Sequence, residues 1–249
     1  MYVVRSLKTY SRMLFCREKK MKETKFCFTK WEWGLWCVSI LVILLSFLVL
    51  GGDGILTLAA SLIGVTSLIF CARGNPIGQV LMILFSLLYG VISWSFRYYG
   101  EMITYLGMTL PMAVIALVSW LKHPFHGKRT EVAAKRISFR EVLFLLVLTG
   151  AVTAAFYFIL KAFHTANLFF STLSVSTSFA AAYLTFRRSP FFALVYAMND
   201  VVLIVLWVLA AATERGYLSV AVCFVIFLVN DLYGFFSWLH RLKRQEKLS

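Results

Sequence analysis

Eight long apolar segments follow one another along this 249-residue chain, and they constrain its fold more than any other feature. Each has roughly the 20 apolar residues that an α-helix needs to cross a bilayer. Hydrophobic residues make up 61% of the sequence and charged residues 14%, whereas soluble domains average about 45–50% apolar and 25% charged residues. The composition therefore excludes a soluble domain and predicts an all-α polytopic membrane protein. We place the spans at residues 33–50, 54–72, 76–98, 101–122, 140–162, 165–186, 189–213 and 216–240.

The positive charges predict how these spans are oriented. Of the 25 Lys and Arg residues, all but Arg97, Lys161 and Arg215 fall in the two tails or in alternate connections. Because cytoplasmic connections carry an excess of Lys and Arg, we expect a multi-pass plasma-membrane protein with both termini in the cytoplasm. The formal net charge of +14 does not indicate nucleic-acid binding, because the positive charges flank apolar segments. We expect membrane lipid to be their partner.

Two short motifs occur twice and predict an internal repeat. Arg-Gly-Asn-Pro at 73–76 is matched by Arg-Arg-Ser-Pro at 187–190, and the Ser-Trp-Leu at 119–121 returns at 237–239. Coincidence is the alternative, because such helix-end motifs are short. Like-oriented repeats are a transporter architecture whose site lies near the midplane between the halves.

The repeat divides the chain into seven predicted parts. Two parallel three-helix bundles occupy residues 54–122 and 165–240, and a linker helix at 140–162 joins them and gives them the same orientation. The other parts are a basic cytoplasmic tail at 1–32, an extra N-terminal span at 33–50, a basic cytoplasmic connection at 123–139 and a basic cytoplasmic tail at 241–249.

Two acidic residues lie deep within predicted spans and mark a candidate site. Asp200 follows Asn199, and Asp231 follows Asn230. An aspartate at the centre of a membrane helix costs about 2.5–3.5 kcal/mol on insertion scales, so it is expected to face protein or a water-filled cavity. Helical spacing places aromatic rings beside these groups, and the first repeat contributes a deep tyrosine. The candidate substrate-binding residues are Asn199, Asp200, Asn230, Asp231, Tyr196, Tyr233, Trp207, Trp238 and Tyr89.

Carboxylate and amide groups beside aromatic rings suit a flat heteroaromatic ligand that carries a positive charge. The alternative is that the polar residues hold helices together by hydrogen bonds. For the two Asn-Asp pairs we favour a site, whereas we assign the packing role to the serine- and threonine-rich stretch at 171–178, because small hydroxyl side chains let helices approach closely.

Enzymatic and metal-binding motifs are missing from the sequence. The histidines, His123, His126, His164 and His240, lie at span edges, and the five cysteines show no CxxC pair. No phosphate-binding loop is present. We therefore expect no catalytic residues, no metal site and no cofactor.

Several segments resemble the PnuC family. In the first repeat they are residues 88–93, Tyr99-Gly100-Glu101-Met102, Leu110-Pro111 and Trp120. In the second repeat they are Arg187-Arg188, Asn199 and Asn230-X-X-Tyr233-Gly234-X-X-X-Trp238. The likeness covers about 54–122 and 165–240.

This resemblance implies a SWEET-like architecture and a vitamin transporter, chiefly for nicotinamide riboside. It also implies facilitated diffusion followed by intracellular phosphorylation of the substrate, with Asn199, Asn230, Tyr233 and Trp238 near the ligand. The sequence departs from the family pattern at Phe192 and Val195, at three first-repeat positions that are often Gln or Asn, and at the two aspartates. Those first-repeat positions are Phe85, Tyr105 and Ala113.

The sequence thus predicts uptake of nicotinamide riboside or a related, cationic small molecule. A carrier of thiamine, riboflavin or deoxynucleosides, with or without ion coupling, is an alternative, and so is a non-transporting membrane scaffold subunit. A homo-oligomer is left open.

Overall fold

The computed structural model describes residues 28–51, 54–95, 99–165, 167–212 and 215–248. Within this part of the chain, eight helices are long and apolar enough to cross a membrane, which confirms the predicted all-α, eight-span architecture. A π-helical turn, Tyr105–Thr109, joins α4 and α5 into one crossing. The helices are α1 (Lys30–Leu50), α2 (Ile55–Ala72), α3 (Ile77–Ser95), α4 (Tyr99–Thr104), α5 (Leu110–Lys122), α6 (Phe139–Ala162), α7 (Leu168–Phe186), α8 (Phe191–Ala211) and α9 (Tyr217–Glu246).

Local sequence accounts for several helix ends. The Thr29 hydroxyl accepts from the backbone of Glu32 at 3.2 Å, and the Glu32 carboxylate accepts from the backbone of Thr29 at 2.6 Å. This reciprocal capping satisfies N–H groups that have no partner within α1. Ser138 caps α6 by accepting from the Glu141 backbone. Pro111 directly follows the π-helical turn within the continuous crossing, where it contributes no backbone N–H to the helical ladder.

The α2–α3 and α7–α8 turns have the same backbone geometry, as the repeated motif predicts. Gly74 has a φ of 64° and Arg188, which is 114 positions later, has a φ of 60°. The backbone hydrogen bonds of the two turns are also equivalent. The Gly74 N–H donates to the Cys71 carbonyl (2.8 Å) as the Arg188 N–H does to the Thr185 carbonyl (3.0 Å). The next N–H groups, of Asn75 and Ser189, donate to the carbonyls of Phe70 and Leu184 (both 3.0 Å).

The second repeated motif forms reciprocal contacts between the two predicted bundles. On α5, the Trp120 indole donates to the Thr185 carbonyl at the end of α7 (2.9 Å). On α9, the Trp238 indole donates to the Cys71 carbonyl at the end of α2 (2.8 Å). The preceding serines do the same, with Ser119 donating to the Phe186 carbonyl and Ser237 to the Ala72 carbonyl. The third helix of each predicted bundle therefore holds the end of the first helix of the other.

The helix packing agrees with these reciprocal contacts between the two predicted bundles. Helix α2 packs on α3 and α9, α5 packs on α3 and α7, and α8 packs between α7 and α9. Helix α6 contacts α7. Helix α1 is tied to this core by two hydrogen bonds, from the Trp36 indole to the Thr66 hydroxyl (3.2 Å) and from the Asn230 amide to the Ser39 hydroxyl (3.0 Å).

The long basic connection contains a short β-hairpin that the sequence did not predict. Strands β1 (Pro124–Phe125) and β2 (Lys128–Val132) pair antiparallel. The end of β2 and the residues after it contact both helix turns. The Val132 N–H donates to the Gly74 carbonyl and the Lys135 N–H donates to the Arg188 carbonyl, each at 3.0 Å. We call this end of the molecule, which includes the two turns, residues 123–138 and the C-terminal part of α9, the basic end.

Candidate functional site

A cavity lies between the two predicted bundles, on the side of the tryptophan contacts away from the basic end. Side chains from α2, α3, α4, α6, α7, α8, α9 and the π-helical turn line it. The volume open to the centres of water molecules is only about 90 Å³. The total volume free of protein atoms, which includes open space at the mouth, is about 980 Å³. The cavity is therefore narrow, and a nucleoside-sized solute requires its lining side chains to move apart.

Aromatic rings close the basic side of this region. Trp120 and Trp238 have ring centroids 5.4 Å apart, and Phe192 packs edge-on against Trp238 at 5.0 Å. All three side chains are buried. This aromatic layer separates the cavity from the Val132 end of the hairpin, which packs against it.

Five of the candidate residues predicted from the sequence line the cavity. They are Tyr196, Asn199, Asp200 and Trp207 on α8 and Asp231 on α9. Their side chains meet there because α8 and α9 pack along their length. The structure thus brings the two aspartates, one of the two asparagines and two of the predicted aromatic walls to one place.

The other four candidates lie outside the lining. Asn230 is 1% exposed, and its amide donates to Ser39 and to the Ile226 carbonyl. Trp238 belongs to the aromatic layer, and Tyr89 packs on Phe85 and Tyr105. Tyr233 does not line the cavity either. Consecutive residues on a helix point about 100° apart, so Asp231 faces the cavity while Asn230 faces α1.

Both aspartates are buried at the cavity. Asp200 is 4% exposed and Asp231 is 6% exposed, and both side chains line the same cavity. The Oδ2 atom of Asp200 is buried and has no hydrogen-bond partner among the described residues. Glu101 adds a third carboxyl group to the lining, and no Lys, Arg or His among the described residues lines the cavity. The site therefore favours positive charge.

Helix α7 fixes Asn199. The Asn199 amide oxygen accepts from the hydroxyl groups of Ser174 (3.2 Å), Thr177 (2.8 Å) and Ser178 (3.1 Å). Because its oxygen is occupied by α7, its amide nitrogen is the group that can donate to a solute. Two of these hydroxyl residues, Ser174 and Ser178, also line the cavity.

Sequence reasoning did not assign the serines of α7 or two residues of the first repeat to the site. Ser171, Ser174 and Ser178 lie on one helical face and line the cavity, and their spacing of three, then four residues was the available signal. Glu101 and Tyr105 also line it. An acid at the edge of a predicted span was the signal for Glu101, and a position that is often Gln or Asn in the PnuC family was the signal for Tyr105.

Comparison with known proteins identifies the family. The family model described as nicotinamide mononucleotide transporter matches residues 54–240. This chain belongs to that family. The nicotinamide riboside transporter PnuC of Neisseria mucosa is 25% identical over 252 residues, covering 96% of this chain and 95% of the relative. PnuC of Haemophilus influenzae is 25% identical over 193 residues, covering 77% of this chain and 82% of the relative.

A solved structure of the family confirms the fold. The crystal structure of the vitamin B3 transporter PnuC superimposes with a TM-score of 0.76 at 22% sequence identity, and the match covers 88% of this chain and 94% of that one. The predicted resemblance to the PnuC family is therefore correct. Together, the family and the architecture establish a multi-pass membrane transporter.

Proposed function

We propose that this chain carries nicotinamide riboside across the plasma membrane into the cell, and that the solute binds in the cavity between α7, α8 and α9. The observation that carries the proposal is the charge of the lining: Glu101, Asp200 and Asp231 contribute carboxyl groups, and no basic residue accompanies them in the described lining. Nicotinamide riboside has a fixed positive charge on its ring, which such a lining stabilises.

The same lining favours the riboside over the mononucleotide. A phosphate monoester carries about −1.5 to −2 charges at neutral pH, and proteins bind it with Arg, Lys or backbone N–H groups. Three carboxyl groups would instead repel it. The cavity chemistry therefore agrees with the names of the relatives, which specify the riboside, more closely than with the family description.

Individual roles follow from the geometry. Asp200 and Asp231 balance the ring charge, the Asn199 amide donates to a ribose or carboxamide oxygen, and Tyr196 and Trp207 supply apolar walls for the ring. Phosphorylation inside the cell would trap the solute, because the phosphorylated product no longer suits the acidic cavity. Transport by facilitated diffusion, with both termini in the cytoplasm, completes the proposal.

Thiamine is the second candidate, because it also carries a fixed positive charge and an aromatic ring. Riboflavin and deoxynucleosides are uncharged and gain nothing from the carboxyl groups. A non-transporting scaffold is the remaining alternative, and it differs from a carrier by giving no solute flux.

Uptake by purified protein in liposomes tests the proposal. We expect labelled nicotinamide riboside to equilibrate across the vesicle membrane, with competition by thiamine weaker and competition by riboflavin, deoxynucleosides or the mononucleotide negligible. Absence of flux for the riboside would refute the assignment, and strong competition by uncharged solutes would refute the role of the carboxyl groups.

A matched pair of substitutions tests the site. Asn199→Leu should lower affinity by about tenfold or more, because losing one hydrogen bond and burying an apolar group in its place costs about 1.5 kcal/mol. Asn230→Leu is the control, since it makes the same change outside the lining and breaks the contact with Ser39. Equal loss of affinity in two variants of equal thermal stability would contradict the placement of the site.

A further inference from the structure

The internal repeat matches a polar contact in one predicted bundle with an aromatic contact in the other. Residues 114 positions apart are equivalent in the two helix turns, and the same offset pairs Gly64 with Ser178 and Phe85 with Asn199. In the second bundle, the Ser178 hydroxyl donates to the Asn199 amide oxygen at 3.1 Å. In the first bundle, a Cβ added to Gly64 would lie 3.1 Å from the Phe85 ring. All four positions line the cavity, so equivalent helix contacts present an amide group from one bundle and a phenyl ring from the other.

Three aromatic side chains form a continuous surface around Phe85. Phe85 comes from α3, Tyr105 from the π-helical turn and Phe227 from α9, and all three line the cavity. The Phe85 ring centroid lies 6.0 Å from that of Tyr105 and 6.2 Å from that of Phe227. We call these three residues the aromatic face.

Gly64 leaves room for two rings of the aromatic face. A Cβ at this position would lie 2.6 Å from the Phe227 ring and 3.1 Å from the Phe85 ring, and the first distance is shorter than packed carbon atoms allow. The α2 backbone therefore lies directly against both rings. Any larger residue at position 64 would displace them.

The rest of the lining contains a surface of opposite character. Ser171, Ser174 and Ser178 of α7 line the cavity beside Asn199 of α8, and the last two of these serines donate to the Asn199 amide oxygen. We call these four residues the polar face. It offers hydroxyl groups and an amide nitrogen, whereas the aromatic face offers two phenyl rings and one phenol.

These two surfaces suit different parts of a nucleoside. The hydroxyl groups of a sugar need hydrogen-bond partners when they leave water, and the polar face supplies such partners. A flat, positively charged ring gains from contact with aromatic side chains, because the faces of those rings carry partial negative charge and attract a cation within about 6 Å. The lining also holds the carboxyl groups of Glu101, Asp200 and Asp231, which favour the same charge.

We propose that the aromatic face binds the charged ring of the solute and that the polar face binds its ribose, so that the solute is held in one orientation. This inference rests on the proposed function, since it takes nicotinamide riboside as the solute. The ring then lies between the aromatic face and the walls that Tyr196 and Trp207 supply. The ring nitrogen joins the two parts of the solute, so it lies between the two faces.

A pair of ligands separates the two ends of the solute. The first ligand is nicotinamide riboside, and the second is 1-methylnicotinamide, which keeps the charged ring and has a methyl group in place of the ribose. Calorimetric titration of the full chain in detergent measures both dissociation constants. We expect 1-methylnicotinamide to compete with the riboside and to bind more weakly, because it makes no contact with the polar face. Binding of the riboside without competition from 1-methylnicotinamide would overturn the assignment of the ring.

Substitutions on the two faces should affect the two ligands differently. Phe85→Leu and Tyr105→Leu should each weaken binding of both ligands by the same factor, about fivefold to thirtyfold, because each removes one aromatic ring from contact with the cation. Asn199→Leu should weaken binding of the riboside much more than binding of 1-methylnicotinamide. Phe47→Leu is the matched control, because Phe47 belongs to the same buried cluster as Phe85 but lies outside the lining, and it should leave both dissociation constants unchanged.

Two variants keep the test decisive if Phe85→Leu does not fold. Tyr105 is only half-buried, so Tyr105→Leu removes a ring of the aromatic face at less cost to the fold. Gly64→Ala displaces the rings of Phe85 and Phe227 without removing any aromatic group, and it should also weaken binding of both ligands by the same factor. Unchanged binding in both variants would contradict the proposal.

The outcomes separate this inference from the proposed function. If the aromatic-face variants bind both ligands as Phe47→Leu does, or if Asn199→Leu weakens both ligands equally, the assigned orientation is wrong and the transport function stands. Weaker binding of the riboside alone in Phe85→Leu would place the ribose against the aromatic face and would also overturn the orientation. Failure of the riboside to bind to the unmodified protein would overturn the proposed function as well.

Discussion

The reciprocal tryptophan contacts make a quantitative prediction about the internal repeat. Trp120 and Trp238 occupy equivalent positions, are 1% and 0% exposed, and donate to equivalent carbonyl groups at 2.9 and 2.8 Å. Replacing either indole by a phenyl ring removes the same hydrogen bond and the same part of a buried ring. The two substitutions should therefore cost nearly equal free energies of unfolding.

The magnitude follows from two contributions. Truncating a buried Trp to Ala costs about 3–5 kcal/mol, and Phe keeps roughly two thirds of the ring atoms, so the packing loss is about 1–2 kcal/mol. The lost hydrogen bond adds about 0.5–1 kcal/mol, at the low end because the Cys71 and Thr185 carbonyl groups keep the backbone N–H groups of Gly74 and Arg188 as donors. Each substitution should cost about 1.5–3 kcal/mol.

Thermal unfolding in detergent measures this effect. Trp120→Phe and Trp238→Phe should lower the midpoint temperature by similar amounts, about 3–10 °C for a chain of this size. Trp31→Phe is the control, because Trp31 is 85% exposed, and its effect should be below about 0.5 kcal/mol. If one of the two buried substitutions is silent while the other is severe, the equivalence of the two contacts is refuted.

Three further predictions concern the basic end. Gly74→Ala should destabilise the fold by about 1–2 kcal/mol in the same assay, because its φ of 64° is a backbone conformation that L side chains rarely adopt. An unchanged midpoint would contradict this. Gln245→Leu should speed amide hydrogen exchange in the hairpin. The Gln245 side chain accepts from the Ala134 N–H at 2.8 Å and donates to the Val132 carbonyl at 3.1 Å, and leucine can do neither. Unchanged protection of the hairpin amides would contradict this. Arg136→Ala should leave the midpoint temperature nearly unchanged despite its two hydrogen bonds to Glu246, because the pair is exposed and screened by solvent. A clear drop in the midpoint would contradict this.

Much of the architecture could be predicted from local sequence. Hydropathy and length alone define eight crossings, because each helix satisfies its own backbone hydrogen bonds in lipid. The Arg-Gly-Asn-Pro and Arg-Arg-Ser-Pro motifs also predict equivalent turns, since the residues at φ near 60° and the following prolines act within four residues. The depth of Asp200 and Asp231 was sufficient to nominate a site.

The composition of the cavity could be predicted only in part. Asn199, Asp200 and Asp231 line it, while Asn230 turns toward Ser39. The rotation of α9 about its own axis decides between these outcomes, and neighbouring helices set that rotation. The π-helical turn adds Tyr105 to the lining, and hydrophobic periodicity does not predict such a turn.

The sequence by itself determined the number of spans, the family and the presence of buried acids, because these depend on composition and on spacing along one helix. Only the tertiary structure decided that the two acids line the same cavity, that the tryptophans of each repeat bind the other repeat, and that α7 hydroxyl groups hold Asn199. Each of these contacts joins residues from different helices. Their geometry depends on helix rotation and packing, which local periodicity does not specify.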